Sequence, residues 1–244
     1  MGGPAATTFV GTVDTNIVGN NTLSNVVDVA QGNKSFHNIE KIIIDNTGGT
    51  KLNPSSTGVQ ELQIINLDKA GGTTQVNAQF MADVNEITST GSSHNLNIFN
   101  LQNFINTINV TQSDVGFNFL GVTMIDGTVG GAQTINTSQI GTLFISDETT
   151  NGTDIVTAFT VTVAGNDTNL TIDGTSVATS FTVSDTGTTD ATVINFFDDG
   201  AGEGTEALTS LSSAGIAGSI VFNNVEASDG NVLVFTEGSG TNTQ

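Results

Sequence analysis

The sequence predicts an all-β fold, a parallel β-solenoid with rungs of about 20 residues, and three observations predict it. A short β-forming run that ends in a turn recurs along more than a hundred residues. Gly, Asn or Asp follows each apolar run, and no sustained 3.6-residue period appears that would argue for an α/β fold.

The clearest copy is Ile39-Glu40-Lys41-Ile42-Ile43-Ile44-Asp45, followed by Asn46-Thr47-Gly48-Gly49. Further copies begin at Val59, Val84, Leu101, Leu120 and Ile140, and successive copies start 20, 25, 17, 19 and 20 residues apart. A strand of four to six residues can pack one face inward before the chain turns sharply, and Gly, Asn and Asp tolerate the positive φ that such turns need. The pairs Ile39 and Ile44, Val59 and Ile64, Leu120 and Ile125, and Ile140 and Ile145 are expected to point inward. The copies at Val84 and Leu101 are weaker, with Ser89 and Asn106 five residues on.

Taken in order, residues 1–8 read as a flexible arm, 9–154 as solenoid, and 155–244 as either its continuation or a second all-β domain of sandwich type. Thr8-Phe9-Val10-Gly11-Thr12-Val13 and Val26-Val27-Asp28-Val29 are the first strand candidates. After Asp154 the runs Phe159 to Val163, Asn169 to Ile172, Phe181 to Val183 and Ala191 to Phe196 alternate apolar and polar residues, which fits two faces per rung or the strands of a sandwich. An acidic glycine loop at 198–206 precedes a segment, Ala207 to Gly218, with the composition of one short helix. Ile220 to Phe222 and Val232 to Phe235 close the fold.

Composition narrows function. The 244 residues carry 24 acids against four lysines and no arginine, a net charge of −20. Such a chain repels polyanions, which sets nucleic acid aside, and it is disfavoured at anionic membranes. No run of eighteen apolar residues occurs, so no membrane span is expected. Without cysteine, stability must come from packing and backbone hydrogen bonds. Met1-Gly2-Gly3-Pro4-Ala5-Ala6 has neither a basic nor an apolar signal region, so export is expected either after signal removal or by a route that needs none.

The phrase "apolar, x, Glu, x, apolar" leading into a Thr/Asn/Gly turn, as in His37-Asn38-Ile39-Glu40-Lys41-Ile42 and Gly58-Val59-Gln60-Glu61-Leu62-Gln63-Ile64, resembles the bacterial surface-layer proteins and related type I-secreted β-solenoid surface proteins. The match is compositional and covers about half the chain. It implies a secreted subunit, extracellular and at the cell surface, that assembles with copies of itself into a lattice or filament, often with calcium. The Gly-Gly-x-Gly-x-Asp nonapeptide of calcium β-rolls is not among the residues.

The acidic loop offers Asp198, Asp199, Glu203 and Glu206 as candidate calcium ligands, since calcium takes six to eight oxygens from a flexible loop. The plain alternative is an exposed acidic turn. Asp126-Gly127, Asp173-Gly174 and Asp229-Gly230 read as turns. His37 and His94 read as solvent or turn histidines, because no second His or Cys lies at ligand spacing. Polysaccharide-active β-helices combine clustered carboxylates with Arg, Lys or His, and with no arginine the chain is read as non-enzymatic; Trp and Tyr, the usual sugar-stacking residues, are missing as well. The rivals are an adhesin or tail-fibre-like module that binds surface glycans, and a polysaccharide-active enzyme. All four lysines lie at 34–69 while the region after Asp185 is purely acidic, which predicts head-to-tail stacking of a mixed end on an acidic end, with Lys41 and Lys69 at the joint.

Overall fold

The computed structural model describes residues 5–14, 29–45, 51–67, 73–111, 119–138, 141–164, 168–173, 175–185, 191–197, 205, 207–225, 233–237 and 242–243. Their strands are, in chain order, β1 Thr8–Asp14, β2 Val29–Gln31, β3 Ile39–Asp45, β4 Lys51–Leu52, β5 Ser55–Thr57, β6 Glu61–Asn66, β7 Thr74–Asn77, β8 Phe80–Met81, β9 Glu86–Thr90, β10 Leu96–Leu101, β11 Thr107–Thr111, β12 Phe119–Met124, β13 Gly131–Thr137, β14 Gly141–Thr149, β15 Val156–Val163, β16 Thr168–Ile172, β17 Ser180–Asp185, β18 Thr192–Phe196, β19 Ser210–Gly215, β20 Ile220–Asn223, β21 Val234–Thr236 and β22 Asn242–Thr243. There is no helix among the described residues.

The strands form a parallel β-solenoid. One long sheet runs β1-β3-β6-β9-β11-β13-β15-β17-β19-β21 and a second runs β4-β7-β10-β12-β14-β16-β18-β20-β22. A third sheet, β2-β5-β8, gives the early rungs an extra face. Among the described residues, later rungs have two faces. Ten strands at about 4.8 Å per rung make a body on the order of 43 Å long. In-register partners such as Ile39 and Glu61, Glu61 and Glu86, and Ser180 and Ser210 lie 22, 25 and 30 residues apart, so rungs are longer and less uniform than the repeat in the sequence suggests.

Strands after Asp154 pair in parallel with those before it, β13 with β15 and β14 with β16. They continue the same two sheets, not the antiparallel strands of a sandwich. The expected helix is strand β19, with Leu208, Leu211 and Ile216 buried. Of the other strand candidates, only Val29 of Val26 to Val29 is described.

The face assignment is also corrected. Side chains alternate along a strand with a period of two, so residues five apart point to opposite faces. In β3 the buried positions are Glu40, Ile42 and Ile44, while Ile39 is half-buried. Likewise Leu120 is buried and Ile125 is not fully so, whereas Val59, in the corner before β6, and Ile64 are both buried. Ile140 lies outside the described residues.

The interior is columnar. Leu62, Ile87, Ile108, Ile135, Val161 and Val183 stack in register below one another. Toward the C-terminal end the aliphatic core gives way to aromatic packing: Phe181 lies 5.7 Å from Phe159 and edge-on to Phe196 at 5.0 Å. Rings of this size fill a two-faced rung across its width. At the N-terminal corner the buried Asn38 amide donates to the carbonyls of Asn33, Phe36 and Gly58, while its Oδ1 accepts from Thr7 N–H. These bonds join the end rung to its neighbours.

Candidate functional site

Because β3, β6 and β9 lie side by side in register, residues far apart in sequence meet on the outward face of the first sheet. Glu61 opens β6 and Glu86 opens β9, and the register sets the two directly opposite each other. Two carboxylates in that arrangement repel one another. His37, in the chain entering β3, closes on both: its Nε2 is 2.9 Å from Glu61 Oε2 and 3.8 Å from Glu86 Oε2. The Glu61 side chain is only 9 % exposed, Glu86 24 % and His37 51 %, so the pair is covered from within and reached from the histidine side.

Neutral side chains hold the far oxygens. Glu61 Oε1 accepts from Thr88 Oγ1 at 2.7 Å and Gln63 Nε2 at 2.9 Å. Glu86 Oε1 accepts from Asn109 Nδ2 at 2.7 Å, and Asn109 Oδ1 accepts in turn from Asn136 Nδ2 at 2.9 Å. Hydrogen bonds to the charged form, together with His37, hold the Glu61 carboxyl below its ordinary pKa against the opposing pull of its burial.

A second ionisable group lies on the other side of the sheet. Glu40 stands two residues before the buried Ile42, and so on the same face, and in register it lies opposite Leu62, so it points into the core. Only 3 % of it is exposed. Burial raises its pKa to about 7, partly opposed by the Ser56 hydroxyl, which is itself buried. Among the described residues, neither Glu40 Oε2 nor Ser56 Oγ has a hydrogen-bond partner of good geometry.

The residues expected to bind calcium, Asp198, Asp199, Glu203 and Glu206, lie outside the described residues, as does Lys69. Of the remaining lysines, Lys34 is paired with Asp83 at 2.6 Å, Asp83 also accepting from Gly58 N–H. Lys41 sits on the outward face of β3, and Lys51 is exposed on the terminal strand β4. His94 accords with the turn reading, bonded through Nδ1 to its neighbour Ser93. His37 departs from it. Its partners are not a second His or Cys but two glutamates supplied by successive rungs, and the sequence signal for them is the recurrence of Val59-Gln60-Glu61-Leu62 as Val84-Asn85-Glu86-Ile87.

Comparison with protein-family models, with curated proteins and with solved structures finds no match. What the fold and the site define is therefore a class, an all-β parallel solenoid with a His-Glu-Glu group across three of its early rungs.

Proposed function

We propose that this chain is a non-enzymatic structural subunit that assembles with copies of itself outside the cell into a surface layer or filament. The observation that carries the reading is the state of the sheet ends. Both long sheets finish in strands with an outer edge unpaired among the described residues, β1 and β21 in one, β4 and β22 in the other. An exposed edge presents a row of backbone donors and acceptors to another chain, and two ends of one solenoid offer a heterologous contact that propagates.

Charge supports the same contact. Lys51 lies at the β4 end and Lys41 one strand in from the β1 end, whereas the region after Asp185 holds no cation. Lys34 is already engaged by Asp83 and contributes less. Outward columns toward the C-terminal end include neutral, mutually bonded runs, as in Asn169, Asn195 and Asn223, where Asn195 and Asn223 each donate to the preceding side-chain carbonyl oxygen. Calcium at the 198–206 loop and glycans at the cell surface are the partners this reading adds.

Negative-stain electron microscopy of the purified protein, with millimolar calcium and then with chelator, tests the proposal. Sheets or filaments that dissolve on chelation are the expected result. Polymer that persists keeps assembly and removes calcium. Single particles in both conditions overturn assembly and favour a glycan-binding adhesin, which a glycan array would then examine.

A further inference from the structure

We propose that His37, Glu61 and Glu86 form a binding site for one divalent cation of the zinc type, coordinated by the imidazole Nε2, one oxygen from each carboxylate and a water. This goes beyond the assembly reading and does not depend on it, since Glu61 and Glu86 face outward from β6 and β9, several strands from the C-terminal end of their sheet.

Geometry carries the assignment. The three ligand atoms all lie within 4.8 Å of one another. A tetrahedral zinc with bonds of about 2.0–2.1 Å holds its ligands about 3.3 Å apart. The two imidazole-to-carboxylate distances, 2.9 and 3.8 Å, bracket that edge, and the two carboxylate oxygens, within 4.8 Å of each other, would draw together as the ion enters.

The surroundings are built for it in a second way. In each glutamate one oxygen is tied down by neutral donors, Thr88 and Gln63 on Glu61 and Asn109 on Glu86, and the other is turned toward His37. Outer partners of this kind fix the orientation of metal-binding carboxylates. The half-exposed imidazole gives the ion a way in and leaves room for a solvent ligand.

Ligand type decides the ion. Two carboxylates and a neutral imidazole balance a dication, and imidazole selects zinc and its neighbours over calcium or magnesium. Calcium wants six to eight oxygens, and this group offers two carboxylates and a nitrogen. Once bound, the ion would tie the chain entering β3 to β6 and β9, clamping three rungs.

The test titrates the full chain, stripped with chelator, with zinc chloride by calorimetry and with cobalt(II) by visible absorption. Wild type should take up zinc at this site, with the visible bands of tetrahedral cobalt and a raised melting temperature. His37→Ala and Glu86→Gln should each lower zinc affinity at least about tenfold and abolish the cobalt bands. Both changes fall on side chains that are not fully buried, and their metal-free melting temperatures check the fold. Asn109→Ala keeps all three ligands and should weaken zinc by less. Failure of wild type to bind zinc overturns the proposal, as do undiminished binding in both ligand variants or displacement of the ion by excess calcium.

Discussion

Glu40→Gln should stabilise the protein, and should do so more strongly as the pH rises. Glu40 is an acid whose folded-state pKa is raised, from 4.5 to about 7, because burial penalises the carboxylate. Its contribution to stability is therefore complete below 4.5 and is lost as pH climbs: between 4.5 and 7 the unfolded chain releases the proton while the folded chain still holds it. A displacement of about 2.5 pH units corresponds to about 3 kcal/mol at pH 8. Glutamine has the same shape and stays neutral throughout, so the variant escapes this loss. The difference between variant and wild type should grow from about 1 kcal/mol at pH 5 to about 3 kcal/mol at pH 8. In a chain of this length that corresponds to about 6–12 °C in melting temperature at pH 8. Urea unfolding in the presence of chelator measures it, with pH kept above the isoelectric region near 4.1, where low net charge favours precipitation. The difference cancels the general repulsion among the other 23 acids, which both proteins share. A gap that stays constant from pH 5 to pH 8, or one that favours wild type at pH 8, refutes a protonated Glu40 in the core.

Two further predictions concern packing and backbone. Phe181→Ala removes a fully buried ring that contacts Phe159, Phe196 and Phe222, and should cost about 3–5 kcal/mol in urea unfolding at any pH. Gly58→Ala and Gly127→Ala separate strain from collision. Both glycines have positive φ, +67° and +82°, but a Cβ on Gly58 would stand 2.2 Å from Gly32 O while one on Gly127 meets nothing within 4 Å. Gly127→Ala should cost about 1 kcal/mol and Gly58→Ala clearly more; equal losses would dismiss the close Gly32–Gly58 crossing.

Much of the fold was legible because β-runs and turn residues alternate so plainly. The run Ile39 to Asp45 is strand β3 residue for residue. The rung was harder to see. Copies beginning at Ile39, Val59 and Val84 belong to the first sheet, whereas those at Leu120 and Ile140 supply strands of the second. Spacing between copies therefore mixed whole rungs with steps between faces, and it fell below the true rung. Comparing residues five apart then placed opposite faces together, although Ile42 and Ile44 carry the period of two. The segment at 207–218 resembled a helix because Ala, Ser and Leu lack the β-branched signature, yet Leu211 and Ser213 take the inward places of a strand between β17 and β21. The His-Glu-Glu group was legible only in part: Val59-Gln60-Glu61-Leu62 recurs as Val84-Asn85-Glu86-Ile87, but nothing there shows that the two glutamates stack or that His37 meets them. The group needs the register of β6 on β9 and the path of the chain into β3, and a single sequence contains neither.

The contrast between Glu40 and Glu61 shows what the period of two decides. Glu40 lies two residues before the inward Ile42 and Glu61 one residue before the inward Leu62, and β3 and β6 accordingly align Glu40 with Leu62, not with Glu61. One residue of offset sends the first carboxylate into the core, where protonation is its cheapest state, and the second onto the surface beside Glu86, where it remains charged. There the solenoid itself creates a difficulty. Parallel strands in register stack like on like about 4.8 Å apart, which favours Asn and Thr columns that bond one another but sets Glu61 and Glu86 in repulsion. Farther along, the same column is neutral, with Thr107, Thr134, Thr160 and Thr182 in line, so within this column the repulsion falls where the chain also delivers His37. An in-register carboxylate pair with an imidazole across its open side is a place where a cation relieves strain that the fold has imposed. On that reasoning, removing the repulsion should remove the demand: Glu86→Gln should raise the melting temperature of the metal-free protein even as it weakens zinc. A metal-free variant that melts below wild type would mean that the pair is already neutralised by His37 alone.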